Sequence, residues 1–158
     1  MYKKRFVIFD LDGTFVDSRR TIINTCGRIM ARYRKEECVE MLSSNTYFCN
    51  NLERFFIDVA TTCGISFDSF KTLYDEEYVK EPLHGTVQNN RICRLLHNER
   101  RKGNSIIVLT NKRQDITQVV CDNIIEEGLI DHIMGREGNN AIMPHLVLDR
   151  LSRLGIHP

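Results

Sequence analysis

The sequence has no C-x-x-C pair, and its six cysteines (Cys26, Cys38, Cys49, Cys63, Cys93 and Cys121) stand at wide, irregular spacings. A zinc site needs closely spaced ligands, so none is expected. Nothing in the sequence points to the oxidising compartment that a disulfide framework requires, and the thiols read as reduced, small apolar fillers. His84, His97, His132, His145 and His157 are scattered without metal-ligand spacing. No apolar run is long enough to span a bilayer. The basic start Met1-Tyr2-Lys3-Lys4-Arg5 is followed by too few apolar residues before Asp10 to form a secretory signal. The cytoplasm is therefore the expected compartment, with no membrane partner. Charge of neither sign dominates, with 22 Lys and Arg against 21 Asp and Glu for a net +1. No basic stripe with interleaved aromatics occurs, so no nucleic-acid partner is expected. Internal repeats and low-complexity tracts are absent.

What remains is a chain of 158 residues, 42% hydrophobic and 27% charged, the size and composition of one globular domain with room for a small insert. Phe6-Val7-Ile8-Phe9 is a continuous apolar run that predicts a short buried strand. Residues from about Ser18 to Tyr78 contain no good strand. Thr21, Ile22, Ile23, Ile29 and Met30 suggest a helix. Leu52, Phe55, Phe56 and Val59 repeat at helical spacing, as do Phe67, Phe70, Leu73 and Tyr74. Gly64 marks a helix end, and Pro82 closes the region. Ile92, Leu95 and Leu96 share a helical face that runs into the solvated charges of residues 98–102. Ser105 to Leu109 predicts a second buried strand ending at Thr110-Asn111-Lys112. Ile116, Val119, Val120 and Ile124 mark a helix stopped by Gly128. Ile130 to Met134 predicts a short strand ending at Gly135. Pro144 to Leu154 reads as a last helix, with Leu146, Leu151 and Leu154 apolar and Gly155 as its cap. Strands alternating with helices predict an α/β fold, a parallel, Rossmann-like, doubly wound sheet. The expected organisation is an α/β core over 1–18 and 82–158, with a small all-helical insert over 19–81.

The chemistry concentrates in Phe9-Asp10-Leu11-Asp12-Gly13-Thr14. Two carboxylates one residue apart at a strand end point to one face, and the carboxyl ends of strands are where ligands bind in an open α/β sheet. A carboxylate such as Asp10 can attack a phosphoryl group. A dianionic substrate repels an anionic nucleophile, and Mg²⁺, which takes oxygen ligands, would screen that repulsion. Asp12 could give a proton to the leaving oxygen and later take one from water. Gly13 allows a tight turn, and Thr14 offers a hydroxyl and a backbone N–H. Thr110 and Asn111, at the end of the next strand, can donate hydrogen bonds to phosphoryl oxygens. Standing against these roles are the plainer ones of strand-end turn residues for the two acids and of a helix cap for Thr110 and Asn111. Arg20 and Lys112 are candidate substrate contacts, against ordinary surface charge.

The run Asp10-Leu11-Asp12-Gly13-Thr14 resembles the first motif, D-x-D-G-T, of the haloacid dehalogenase-like hydrolases. Ile107-Val108-Leu109-Thr110-Asn111 is similar to that family's second motif, an apolar strand ending in Ser or Thr. Phe15-Val16-Asp17-Ser18 and Thr110-Asn111-Lys112 both resemble phosphoglycolate phosphatase-like members. The resemblance implies a phosphatase hydrolysing a small phosphate monoester, 2-phosphoglycolate-like, through an aspartyl-phosphate intermediate. It implies Asp10 and Asp12 as catalytic residues and Mg²⁺ ligands. Gly13, Thr14, Thr110 and Asn111 would bind phosphate, and the helical insert would serve as a cap that closes over the site.

The sequence also departs from that pattern. The third motif supplies a Lys, whose expected position falls near Ala141-Ile142-Met143, and no Lys follows Lys112. Arg136 is the nearest upstream cation, but a planar guanidinium is not a simple replacement for an ammonium. The acids of the fourth motif, which complete the Mg²⁺ site, would lie on a strand beyond His157-Pro158. A chain truncated there is expected to leave Phe6 to Phe9 as an apolar edge open to self-association or to a partner strand. The alternative reading is therefore a truncated, catalytically impaired relative that binds phosphorylated ligands or a protein. A response-regulator-like receiver is a third reading, disfavoured by the helical insert and by the position of the acidic run.

Overall fold

A computed structural model describes residues 5–35, 37–38, 51–138 and 144–156. Cys49, Ala141-Ile142-Met143 and His157 lie outside the described residues, as do the side chains of Pro144, His145 and Leu146. In chain order the elements are β1 (Phe6–Phe9), β2 (Val16–Asp17), α1 (Arg19–Arg32), α2 (Leu52–Cys63), α3 (Phe67–Tyr78), β3 (Val87–Gln88), α4 (Asn90–Arg101), β4 (Ser105–Arg113), α5 (Gln114–Ile124), β5 (His132–Arg136) and α6 (Pro144–Arg153). They fall into two units, Met1–Asp17 with Val87–Pro158, and Ser18–Thr86.

The first unit is built on a parallel sheet in the order β1-β4-β5. Phe6 to Phe9 pair with Ser105 to Val108, and Ile107 to Leu109 pair with His132 to Met134. β4 is the middle strand, and Ile106, Ile107 and Val108 are fully buried, as expected of a β-branched run covered on both faces. Leu151 and Ile156, on and just after α6, close one face against Ile107 and Met134. Helices α4 and α5 also pack on β4, with Leu96, Ile116 and Val120 buried.

Several boundaries differ from those the sequence predicts. β1 is an edge strand, not a buried one. Among the described residues it pairs only with β4, and Phe6 and Ile8 are 38% and 44% exposed. An apolar run alone does not reveal how many neighbours a strand has. β4 continues past Leu109 to Arg113, with a shift of register between them, so Thr110, Asn111 and Lys112 lie within the strand. β5 likewise runs through Gly135 to Arg136. α5 ends at Ile124, because Ile125 is already extended, and Gly128 falls in the following turn. Leu95, Val119 and Leu154, assigned to apolar faces, are exposed. A two-residue antiparallel ladder, Val16↔Gln88 and Asp17↔Val87, was not expected at all.

The second unit is helical. Asn51 and Ser66 cap α2 and α3 by accepting the backbone N–H of Arg54 and Ser69, which satisfies donors that have no partner inside the helix. Gly64 ends α2 in the left-handed conformation, a backbone state open to Gly. Rings of Phe56, Phe70, Tyr74 and Tyr78 form a chain of tilted contacts, the closest being Phe56–Tyr74 at 4.6 Å between centroids. The Glu77 carboxylate, 3% exposed, sits among Arg28 (3.4 Å), Lys80 (2.6 Å) and Arg32, a buried charge that cationic partners make tolerable. No helix among the described residues is long and apolar enough to cross a membrane.

Candidate active site

The carboxyl ends of β1 and β4 lie side by side, because Phe9 pairs with Val108. Asp10 therefore leaves β1 next to the point where Thr110 continues β4. The Asp10 Oδ1 accepts the backbone N–H of Leu11 at 2.8 Å. Thr110, a residue only 5% exposed, stands beside the carboxylate, and its hydroxyl favours the charged form. Partial burial raises the Asp10 pKa above its ordinary value. The Leu11 N–H and the Thr110 hydroxyl oppose this, the charge of Asp12 adds to it, and Lys112 offsets it.

The loop that follows is held by its own backbone. The N–H groups of Phe15 and Val16 both donate to the carbonyl of Leu11, each at 3.0 Å, and Gly13 donates to Val16 at 2.8 Å. Gly13 has φ +75°, the left-handed region where a Cβ is strained, so the turn demands glycine at this point. Leu11 and Phe15 are fully buried and anchor the loop from below, with the Phe15 ring 5.6 Å from that of Phe9. Asn89, the N-cap of α4, ties the loop from the other side. Its backbone N–H donates to the Phe15 carbonyl at 2.7 Å, and its amide donates to the Thr14 carbonyl at 3.2 Å.

Asp12 sits at the bend and forms an isolated bridge with Val16. Its Oδ2 is 3.2 Å from the ammonium of Lys112, whose side chain is 9% exposed. The structure thus gathers Asp10, Asp12, Thr110 and Lys112. Asn111 alternates with Thr110 and Lys112 along β4 and is exposed, and its carbonyl accepts Arg136 Nε at 3.1 Å. Gly13 and Thr14 form the turn itself. Arg20 belongs to the helical unit, exposed on α1. Thr110 is not a helix cap, because α5 starts only after Arg113.

Two contributors escaped the sequence reading. Asn89 fastens the acidic loop, and its only signal was an Asn in front of a helical run. Gly135 lets β5 approach the end of β4, since a Cβ there would stand 2.6 Å from Gln114 Cα and 3.0 Å from the Lys112 carbonyl oxygen. Its N–H donates to Gln114 Oε1 at 2.5 Å. The described cysteines are free thiols. Cys121, close to this end of the sheet, is pushed up to about 12 by burial, with the charges of Asp122 and Asp12 adding to it.

Comparison with known proteins agrees with this architecture. The chain is 25% identical over 162 residues to a phosphoglycolate phosphatase of Aquifex aeolicus, covering 98% of this chain and 72% of that protein. A haloacid dehalogenase-like family protein of Streptococcus pneumoniae superposes with a TM-score of 0.69 at 19% identity, over 97% of this chain and 71% of that one. A predicted phosphoglycolate phosphatase of Haemophilus somnus gives a TM-score of 0.70 at 18% identity, over 99% and 74%. The sequence model of the haloacid dehalogenase-like hydrolases matches residues 7–158. With the D-x-D-G-T run at the end of β1 and a matched region that spans nearly the whole sequence, this chain belongs to the haloacid dehalogenase-like hydrolase family.

Proposed function

We propose that the chain hydrolyses a small phosphate monoester with Asp10 as the nucleophile. The observation that carries this reading is the Asp12–Lys112 ion pair beside Asp10, at the sheet edge where α/β folds bind ligands. An Asp10 oxygen attacks phosphorus, and the ester P–O bond breaks. The departing oxygen takes a proton from Asp12. Asp12, now a carboxylate, takes a proton from a water whose oxygen attacks the same phosphorus. The bond to Asp10 then breaks, releasing inorganic phosphate and restoring both groups. The hydroxyls of Thr110 and Thr14 are the donors offered to the phosphoryl oxygens, and Gly13 shapes the turn that carries Asp12.

The donor set suits Mg²⁺. Asp10 and Asp12 supply carboxylate oxygens, and Mg²⁺ commonly keeps several waters when one or two carboxylates hold it. When bound, Mg²⁺ would screen the charge between the two carboxylates and the phosphoryl group. The relative from Aquifex aeolicus supports a substrate of the 2-phosphoglycolate type, with the helical unit acting as the cap that selects it.

The test is hydrolysis of an aryl phosphate by the full chain with and without Mg²⁺, alongside Asp10→Asn. Metal-dependent turnover that disappears in the variant is the expected result. A folded wild-type chain that binds the ester without hydrolysing it would sink this reading in favour of a phosphate-binding relative.

A further inference from the structure

The Asp12–Lys112 contact departs from what the sequence suggests. Lysine is among the residue types least often buried, and Lys112 stands in a polar stretch that reads as the end of a strand. Yet its side chain is 9% exposed, whereas Arg150 and Arg28, also ion-paired, are 27% and 32% exposed. The cause lies in the backbone. β4 extends beyond its apolar run to Arg113, with a register shift after Leu109, and the Lys112 N–H donates to the Thr110 hydroxyl at 3.3 Å. Gly135 then lets β5 press against the Lys112 carbonyl. The Lys112 backbone is therefore held from its own strand and from the next, and its ammonium meets Asp12 Oδ2 at 3.2 Å.

The charge balance of the site shows what such a group does. Two carboxylates face a phosphoryl dianion, and in a partly dehydrated site that repulsion is strong. Arg136, a cation on the neighbouring strand, donates to the carbonyls of Asn111 and Gly138. We infer that Lys112 is a positioning residue of the phosphohydrolase site, an internal counter-ion on β4 that fixes the Asp12 side chain and stabilises the carboxylate it becomes once its proton has gone to the leaving oxygen. The inference rests on the proposed phosphatase reading. It implies that Lys112 competes with a divalent cation for Asp12 while assisting turnover.

This yields a split that a merely structural lysine would not give. Lys112→Met and Lys112→Gln, in the full chain, are titrated with Mn²⁺ by electron paramagnetic resonance and assayed on an aryl phosphate with Mg²⁺. Thermal melting identifies which neutral variant is folded, and that one is scored. Mn²⁺ is expected to bind on the order of tenfold tighter once the ammonium is gone, while kcat falls on the order of 100-fold. Lys112→Arg, which keeps the charge, is expected to hold Mn²⁺ affinity near wild type. Unchanged or weaker Mn²⁺ binding in the neutral variant overturns the inference, as does unchanged kcat. The metal titration does not depend on turnover. If the wild-type chain hydrolyses nothing, the phosphatase reading fails, and tighter Mn²⁺ binding in the neutral variant still upholds Lys112 as the counter-ion of Asp12.

Discussion

Gly135→Ala is expected to be the most damaging small substitution in the α/β unit. The added Cβ would meet Gln114 Cα at 2.6 Å, Gln114 N at 2.9 Å and the Lys112 carbonyl oxygen at 3.0 Å. Carbon atoms prefer about 3.5–4.0 Å, so the strands must separate by roughly 1 Å at a place where all three obstacles are backbone. Overpacking of this kind costs about 1–3 kcal/mol, and a fixed backbone places this site at the upper end. The 2.5 Å bond from Gly135 N–H to Gln114 Oε1 would stretch beyond hydrogen-bonding range, adding about 1 kcal/mol. A total near 4 kcal/mol lowers the melting temperature of a chain of this size by roughly 8–16 °C. Thermal denaturation followed by circular dichroism measures the shift. Gly103→Ala is the control, because Gly103 has φ +81° and nothing within 4 Å, so it carries only the backbone penalty of about 1 kcal/mol. If Gly135→Ala melts within 2 °C of wild type (about the resolution of the argument), the close approach of β5 to the β4–α5 turn is not a constraint.

Asp10→Asn is expected to stabilise the fold at neutral pH while abolishing turnover. Partial burial raises the Asp10 pKa, so the folded state binds more protons than the unfolded chain between the two pKa values. Stability from this group therefore falls as pH rises through that window. In chelator-treated buffer the variant should melt above wild type at pH 7, and the gap should close as pH falls below about 3, where Asp10 is neutral in both states. In the helical unit, Glu77→Gln removes the carboxylate shared by Arg28, Arg32 and Lys80. Those cations are partly exposed and can rehydrate, so the loss is about 2 kcal/mol, below the range for fully buried pairs, and urea titration reads it. Ile8→Lys places a charge on the exposed face of β1 and is expected to reduce concentration-dependent light scattering at nearly unchanged stability. Equal scattering from both proteins would mean that this edge does not drive association.

The parts of the fold legible in the sequence were those fixed by neighbours along the chain. The acidic run 9–14 announces its turn through Gly13 and its strand through the apolar residues before it. The aromatic spacing of α2 and α3 and the glycine after α2 gave those helices and one of their ends. What depended on distant segments was hidden. The exposure of Phe6 and Ile8 follows from the number of strands flanking β1, which the apolar run itself does not encode and only the family resemblance led us to expect. Lys112 reads as surface charge because its partner, Asp12, lies a hundred positions away in the chain. Glu77 looks like any acid on a polar helix face until α1 folds over it with Arg28 and Arg32. The ladder of β2 and β3 is too short to show alternation, so its pairing across some seventy positions could not be read.

That ladder has a consequence for how the chain is assembled. Asp17 and Val87 are cross-strand partners, so the polypeptide departs for the helical unit and comes back through one two-stranded ribbon. The two cut ends already lie at hairpin distance, and an Asn-Gly turn between them would complete the ribbon without any rearrangement of β1, β4 or β5. The insertion point is thus a socket. What is plugged into it can be lengthened, exchanged or excised, because the entropy of closing the loop is settled by the ribbon and grows only slowly with the length of what hangs from it.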